Sequence, residues 1–260
     1  MTTYTTEITS DKILSDNPIH QRLLKAYYLV APYINGNLLE LGCGEGRGVE
    51  IIAPKCDNYL GVDKIGTIIE RLKGIYPDLI FKQMVFPPFG TLRDSSFDVV
   101  VSCQVIEHIK DDRTFLQEIY RVLKPGGTAI LTTPNIKKTL TRNPWHIREY
   151  TARQMMDLAS QVFDKVDIKG IQGSERLWDY YEKNKLSVRK IARFDVFNLQ
   201  YRLPASMLRI PYDIMNRINR NRLKKQDYGL VTSISLDDYL LCNNPDDSLD
   251  LFCVMDKASN

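Results

Sequence analysis

No stretch of this 260-residue sequence approaches the ~20 uninterrupted apolar residues that a membrane-spanning helix needs. The first residues, MTTYTTEITSDK, are polar and lack the apolar core of a secretory leader. Five cysteines (Cys43, Cys56, Cys103, Cys242 and Cys253) are scattered, with no C-x-x-C pair, which argues against a disulfide framework or a zinc site and for a reducing compartment. These absences lead us to expect a cytoplasmic protein. Histidine is scarce as well, limited to His20, His108 and His146. There is no internal repeat, no low-complexity tract and no large charge imbalance. A formal net charge of +3 is too small to imply nucleic-acid binding by itself.

What is present fits a folded enzyme-sized chain. Hydrophobic residues make up 43% and charged residues 26%, near the average for soluble domains with a buried core. The length suits one large α/β domain with an elaboration. From Asn37 to Gly173, Val/Ile/Leu-rich runs alternate with helix-length amphipathic stretches, the pattern of βα units building a parallel sheet. Strands are predicted at 38–41, 59–63, 79–84, 97–103, 128–133 and 165–171. A helix follows Asp111 and Asp112, ended by Pro125-Gly126-Gly127, and Thr151 with Gln154 predicts a capping box for another, running to about Phe163. Pro18 to Ile34 reads as an amphipathic helix. After Gly173 the alternation gives way to a helical, aromatic stretch that we expect to be an inserted cap, before an apolar segment, Leu249 to Lys257, that can return to the sheet.

Chemistry concentrates first in LLELGCGEGRG, Leu38 to Gly48, where a strand runs into Gly42, Gly44, Gly46 and Gly48. Such glycines allow a sharp turn with positive φ and bring backbone N–H groups close to a ligand. The spacing is G-x-G-x-G. A dinucleotide fingerprint, G-x-G-x-x-G, would need glycine where Arg47 stands, which argues against NAD. Asp63 ends the second strand in GVDK, near the ~20-residue offset at which a carboxylate meets a ribose in βαβ nucleotide sites.

With ELGCGEG, GVDK, FDVVVSCQVIEHI, RVLKPGG and TTPN in that order, the sequence resembles the class I S-adenosylmethionine-dependent methyltransferases over about 19–173. The resemblance implies a Rossmann-like seven-stranded α/β sheet with helices on both faces, its last strand (249–257) antiparallel. Residues 1–173 and 230–260 would form this domain, and 174–229 the cap. It further implies S-adenosyl-L-methionine as cofactor, with Glu40, Gly42, Cys43, Gly44 and Gly46 around its methionine end and Asp63, beside Lys64, on its ribose. Ser102, Cys103 and Gln104 would line the pocket of the methyl group. Many relatives bind adenine through an Asp after the third strand. Here KQMVFPPFGTL offers no carboxylate, so packing by Met84, Val85 or Phe86 is expected instead.

Glu107, His108 and His146 follow the fourth and fifth strands and are the candidate catalytic groups, as general bases tuned near neutral pH or as organisers of loop hydrogen bonds. Q-x-x-E-H with a later His is similar to the magnesium site of ubiquinone-biosynthesis O-methyltransferases and small-RNA 3′-end methyltransferases. Those carry Glu where this chain has Gln104, and we expect no metal. On the first helix His20, Arg22 and Tyr27 loosely resemble an H-x-x-R-Y motif of methyltransferases encoded with cell-surface polysaccharide enzymes.

The cap holds the charge excess: 174–228 carry 13 Lys/Arg against 6 Asp/Glu, leaving the rest of the chain at −4. Trp178, Tyr180, Tyr181, Phe194, Phe197 and Tyr201 supply aromatic surface for an acceptor or for the cap's own core. Met207 to Lys225 interleaves Leu208, Ile210, Ile214, Met215 and Ile218 with six Arg/Lys, as an amphipathic helix touching a membrane or an anionic substrate would, or as a solvated basic face. Pro204 and Pro211 are expected to limit a continuous helix. The leading expectation is O-methylation of a small molecule or a glycan or lipid intermediate, with no DNA partner and no recognised RNA-binding module. Two other readings stand beside it: a catalytically inactive cofactor-binding protein docking through the basic segment, and a nucleotide-dependent oxidoreductase.

Overall fold

Alternating side chains on the apolar runs divide the core in two. Leu38, Val99 and Ile130 pack on one face of the sheet, and their neighbours Leu39, Val100 and Leu131 on the other. The computed structural model describes residues 13–193, 195 and 198–259. Its strands are β1 (Asn37–Leu41), β2 (Asn58–Asp63), β3 (Ile80–Gln83), β4 (Phe97–Cys103), β5 (Leu123–Pro134), β6 (Lys165–Gly173), β7 (Tyr239–Cys242) and β8 (Asp250–Asp256). Among the described residues the helices are α1 (Asn17–Val30), α2 (Val49–Ile52), α3 (Gly66–Ile75), α4 (Asp112–Val122), α5 (Ala152–Ala159), α6 (Glu175–Ala192), α7 (Leu199–Arg202), α8 (Ala205–Gln226) and α9 (Tyr228–Ser233).

One sheet runs in the order β3-β2-β1-β4-β5-β8-β6-β7. Strands β1 to β5 are parallel, and β8 lies antiparallel between β5 and β6. This is the expected Rossmann-like sheet with one strand more. The eighth is β7, four residues antiparallel to β6 at the edge. Its Leu240 and Leu241 are both exposed, so no in-out alternation announces it. The chain leaves β1 for β2 on one side and returns to β4 on the other, and at this reversal the carboxyl ends open a crevice.

Local signals explain most helix ends. Asp111 caps α4, accepting the Thr114 N–H at 3.1 Å. Thr151 and Gln154 form the predicted capping box of α5, which stops at Ala159 while Phe163 is buried beyond it. Pro125-Gly126-Gly127 does not lie in a loop after α4. Leu123 pairs with Phe97 and Thr128 with Val99, so the triplet forms a bulge inside β5. Pro204 does stop the chain just before α8, but Pro211 sits inside that 22-residue helix. The missing N–H leaves one intrahelical bond unmade. Farther along the same helix Arg217 and Arg220 both reach the fully buried Asp16, at 2.8 and 3.1 Å.

Candidate active site

A cavity of about 690 Å³ opens at the carboxyl ends of β1, β2, β4 and β5. On one wall lies the glycine loop. Gly42, Gly44 and Gly46 have φ of 76°, 49° and 84°, a region that only glycine enters cheaply. A Cβ at Gly42 would stand 2.5 Å from Val105 Cγ2, and one at Gly46 2.5 Å from Leu72 Cδ2, whereas nothing lies within 4 Å of one at Gly44. Gly44 therefore presents bare backbone to the cavity. Its N–H donates to Asp63 Oδ2 at 3.0 Å, and the Ile65 N–H donates to Oδ1 at 2.9 Å, so the carboxylate is locked at the end of β2.

The predicted cofactor residues separate into two groups. Gly42, Cys43, Gly44, Asp63, Lys64, Val85, Cys103 and Gln104 line the cavity; Glu40, Gly46 and Met84 do not. Glu40 lies beneath the loop, its carboxylate accepting the hydroxyls of Tyr27 (2.8 Å) and Tyr59. Burial pushes its pKa up despite those two bonds. Met84 is turned into the core against which Phe86 also packs. Ile65, Val85 and Phe86 offer the apolar surface on the side where an adenine carboxylate is missing. Burial raises the thiols of Cys43 and Cys103 above their ordinary range, so neither is a thiolate nucleophile.

The candidate catalytic groups meet on the wall of the same cavity. His108 and His146 stand edge to face with ring centroids 4.9 Å apart. His108 Nδ1 lies 2.9 Å from the Trp145 carbonyl, which fixes the Nδ1–H tautomer and makes Nε2 the acceptor nitrogen. Burial, then the nearby His146, lowers its pKa to about 4. His146 is clamped by Glu149 at Nδ1 (2.6 Å) and by the Asn143 amide at Nε2 (2.8 Å). Glu107 is buried, with the Thr133 hydroxyl donating to Oε2 at 3.0 Å, and burial raises its pKa to about 7. The tuning expected of a histidine has thus fallen on the glutamate. Ligand atoms of Glu107, His108 and His146 lie within 4.8 Å of one another, so the cluster has the size of a metal site even with an amide at Gln104.

The sequence reading passed over Asp250, Asn143, Trp145 and Glu149. Arg22 donates to Asp250 from Nε (2.6 Å) and Nη2 (2.5 Å) and to the Leu249 carbonyl (2.8 Å), while Gln104 Nε2 donates to Asp250 at 3.2 Å. Asp250 thereby ties α1 to the loop after β4. NPWHIREYT held a signal for the other three, since Asn143 and Glu149 flank His146 at three residues on either side. The cap forms the roof: Tyr180 and Tyr181 of α6 and Tyr212, Asn216 and Arg220 of α8 line the cavity, as do Arg22 and Tyr27 of α1. His20 is not on its wall. Trp178 packs edge-on against Tyr181 at 5.2 Å, and Tyr201 is exposed. Phe194 and Phe197 lie outside the described residues.

Glycine backbone, a locked acidic side chain at the second strand end and an adjoining apolar surface are a fit for S-adenosylmethionine. Residues 39–131 match the family described as a methyltransferase domain. A "probable S-adenosylmethionine-dependent methyltransferase" of Mycobacterium tuberculosis is 33% identical over 184 residues, 68% of this chain and 67% of that one. A "probable S-adenosylmethionine-dependent methyltransferase" of Mycolicibacterium smegmatis is 35% identical over 143 residues, and there the match spans only about half of each chain, 52% and 54%. The mitochondrial ubiquinone biosynthesis O-methyltransferase of Rattus norvegicus is 32% identical over 40% of this chain and 32% of its own. In fold, the crystal structure of an S-adenosylmethionine-dependent methyltransferase from Archaeoglobus fulgidus superposes with TM-score 0.55 at 16% identity, covering 91% of this chain and 94% of that one. None of these likenesses supports an oxidoreductase. The chain belongs to the S-adenosylmethionine-dependent methyltransferases, with S-adenosyl-L-methionine as its cofactor.

Proposed function

We propose that the chain methylates a hydroxyl group of a small molecule or of a glycan or lipid intermediate, with Glu107 taking the hydroxyl proton. The observation that carries this reading is a buried carboxyl with a pKa of about 7 that lines the same cavity as two histidines, the glycine loop and Asp63. The likeness of the chain to ubiquinone-biosynthesis O-methyltransferases supports oxygen as the acceptor atom.

When bound, S-adenosylmethionine supplies an electrophilic methyl on a sulfonium sulfur, open to in-line displacement by a nucleophile. The backbone of Gly42 to Gly44 would hold its methionine end, Asp63 its ribose, and Val85 and Phe86 its base, with Cys103 and Gln104 beside the methyl. What remains for the chain is to align the acceptor, exclude water and remove a proton. A proton acceptor works best with a pKa near the working pH, which Glu107 has and His108, at about 4, lacks. His108 stays neutral, and its Nε2 orients the hydroxyl as a hydrogen-bond acceptor. His146, held by Asn143 and Glu149, keeps the pair in place as a positioning residue.

Calorimetry with S-adenosylmethionine and S-adenosylhomocysteine, with NAD as control, tests the cofactor side. Micromolar binding, about −8 kcal/mol, weakened on the order of a hundredfold in Asp63→Ala, is expected. Folded protein that binds neither sulfur compound would overturn the reading. Methyl transfer to a panel of hydroxyl, amine and thiol acceptors then tests the oxygen assignment, which exclusive transfer to nitrogen or sulfur would overturn.

A further inference from the structure

The outer face of α8 carries an apolar stripe left exposed among the described residues. Met207, Ile210, Ile214 and Ile218 recur three and four residues apart, so they share one side of the helix. They are 61%, 72%, 54% and 54% exposed. The opposite side, with Tyr212, Asn216, Asn219 and Leu223, faces the cavity and the core. Leu199 and Tyr201 of the preceding α7 are exposed as well.

Charge around this stripe has one sign. Residues 198–226 contain seven Lys/Arg and a single acid, Asp213, which accepts the Trp145 indole N–H at 3.2 Å. Arg217 and Arg220 turn inward to the buried Asp16. Arg209 stacks on the Trp145 ring at 4.3 Å, whereas Arg202, Arg222 and Lys225 are exposed. An apolar stripe bordered by cations and bare of exposed acids is complementary to the surface of an anionic bilayer, where the stripe enters the acyl boundary and the cations meet phosphates. A second copy of the chain would set this cationic face against itself in a two-fold pair. We propose that α8, lying along the surface, docks the protein on an anionic lipid membrane. The helix that docks also roofs the cavity, which brings the acceptor side next to the lipid layer.

Sedimentation with phosphatidylcholine vesicles, with and without roughly one third phosphatidylglycerol, tests this without methyl donor or acceptor, so its outcome is separate from that of the cofactor titration. The full chain is expected to bind the anionic vesicles, and to bind about tenfold or more weakly at high salt and in the double variant Ile210→Asp/Ile214→Asp. Circular dichroism and the thermal midpoint check that this variant folds. Arg222→Glu/Lys225→Glu, which leaves the stripe intact, is expected to lose anionic vesicles too. Absence of vesicle binding, equal binding by all three proteins, or a concentration-dependent dimer that the Asp variant dissolves would each overturn the proposal.

Discussion

The two walls of the cavity are built by different means. The wall proposed to hold the cofactor uses backbone: the glycine loop and Asp63 come from 22 consecutive residues, Gly42 to Asp63, and backbone N–H groups hold the carboxylate. The wall proposed to hold the acceptor uses side chains from five separate segments, α1, the loops after β4 and β5, α6 and α8. Backbone geometry tolerates few substitutions but depends little on distant parts of the chain. Side chains assembled from afar can be varied to suit a new acceptor, and each depends on burial and partners that its own segment does not supply.

This contrast can be broken by experiment, and the largest effect belongs to Glu107. Glu107→Gln is expected to lower turnover on the order of a hundredfold or more while leaving S-adenosylhomocysteine affinity nearly unchanged. In the wild type the rate should rise with pH and level off above about 7, as the carboxylate forms, and the variant should lose that limb. An unchanged profile would assign the proton to another group. Next is Arg22→Met, which strips a buried Asp250 of its two-pronged partner and should cost about 3 kcal/mol in urea unfolding. Replacing Asp250 by Asn as well should recover part of that loss.

Stability against pH sharpens the same point. The pKa of Glu107 rises from 4.5 to about 7 on folding, so the folded state favours the protonated form. That contribution is complete below about pH 4.5 and is lost as pH rises through 7. Relative to Glu107→Gln, the wild type should lose roughly 3 kcal/mol across that window. A constant difference between the two proteins would mean that the carboxyl is not protonated by burial. On the cofactor wall, Gly42→Ala combines a positive φ with a clash against the stiff Val105 and should cost about 2 to 3 kcal/mol. Gly44→Ala has only the strain, about 1 kcal/mol, so its midpoint should fall least.

The turn of the glycine loop and the place of Asp63 were legible in the sequence because short-range signals encode them. Glycine spacing sets the loop and a strand end sets Asp63. Glu40, which belongs to the same motif, was misplaced: whether a carboxylate faces the cavity or two tyrosines from α1 and β2 is decided by packing. The acceptor wall was legible only as a set of candidates. Spacing brought Glu107, His108 and His146 to neighbouring loops, but which of them titrates near pH 7 depends on how deeply each is buried.

The same division holds for the whole chain. Sequence by itself determined the parallel α/β core, the capping of α4 and α5 and the turn of the glycine loop, since each rests on periodicity or on contacts among near neighbours. Only the tertiary structure decided that β7 adds an edge strand, that Pro-Gly-Gly bulges within β5, and that Pro211 sits inside α8. It likewise decided that Arg217 and Arg220 serve Asp16 rather than a basic surface, and that Asp250 joins Arg22 to Gln104. The bulge rests on a strand pairing 26 residues apart (Phe97 with Leu123), the edge strand on pairings 66 to 72 residues apart, and the Asp16 and Asp250 contacts on partners 146 to 228 residues away, none of which leaves a trace in local spacing.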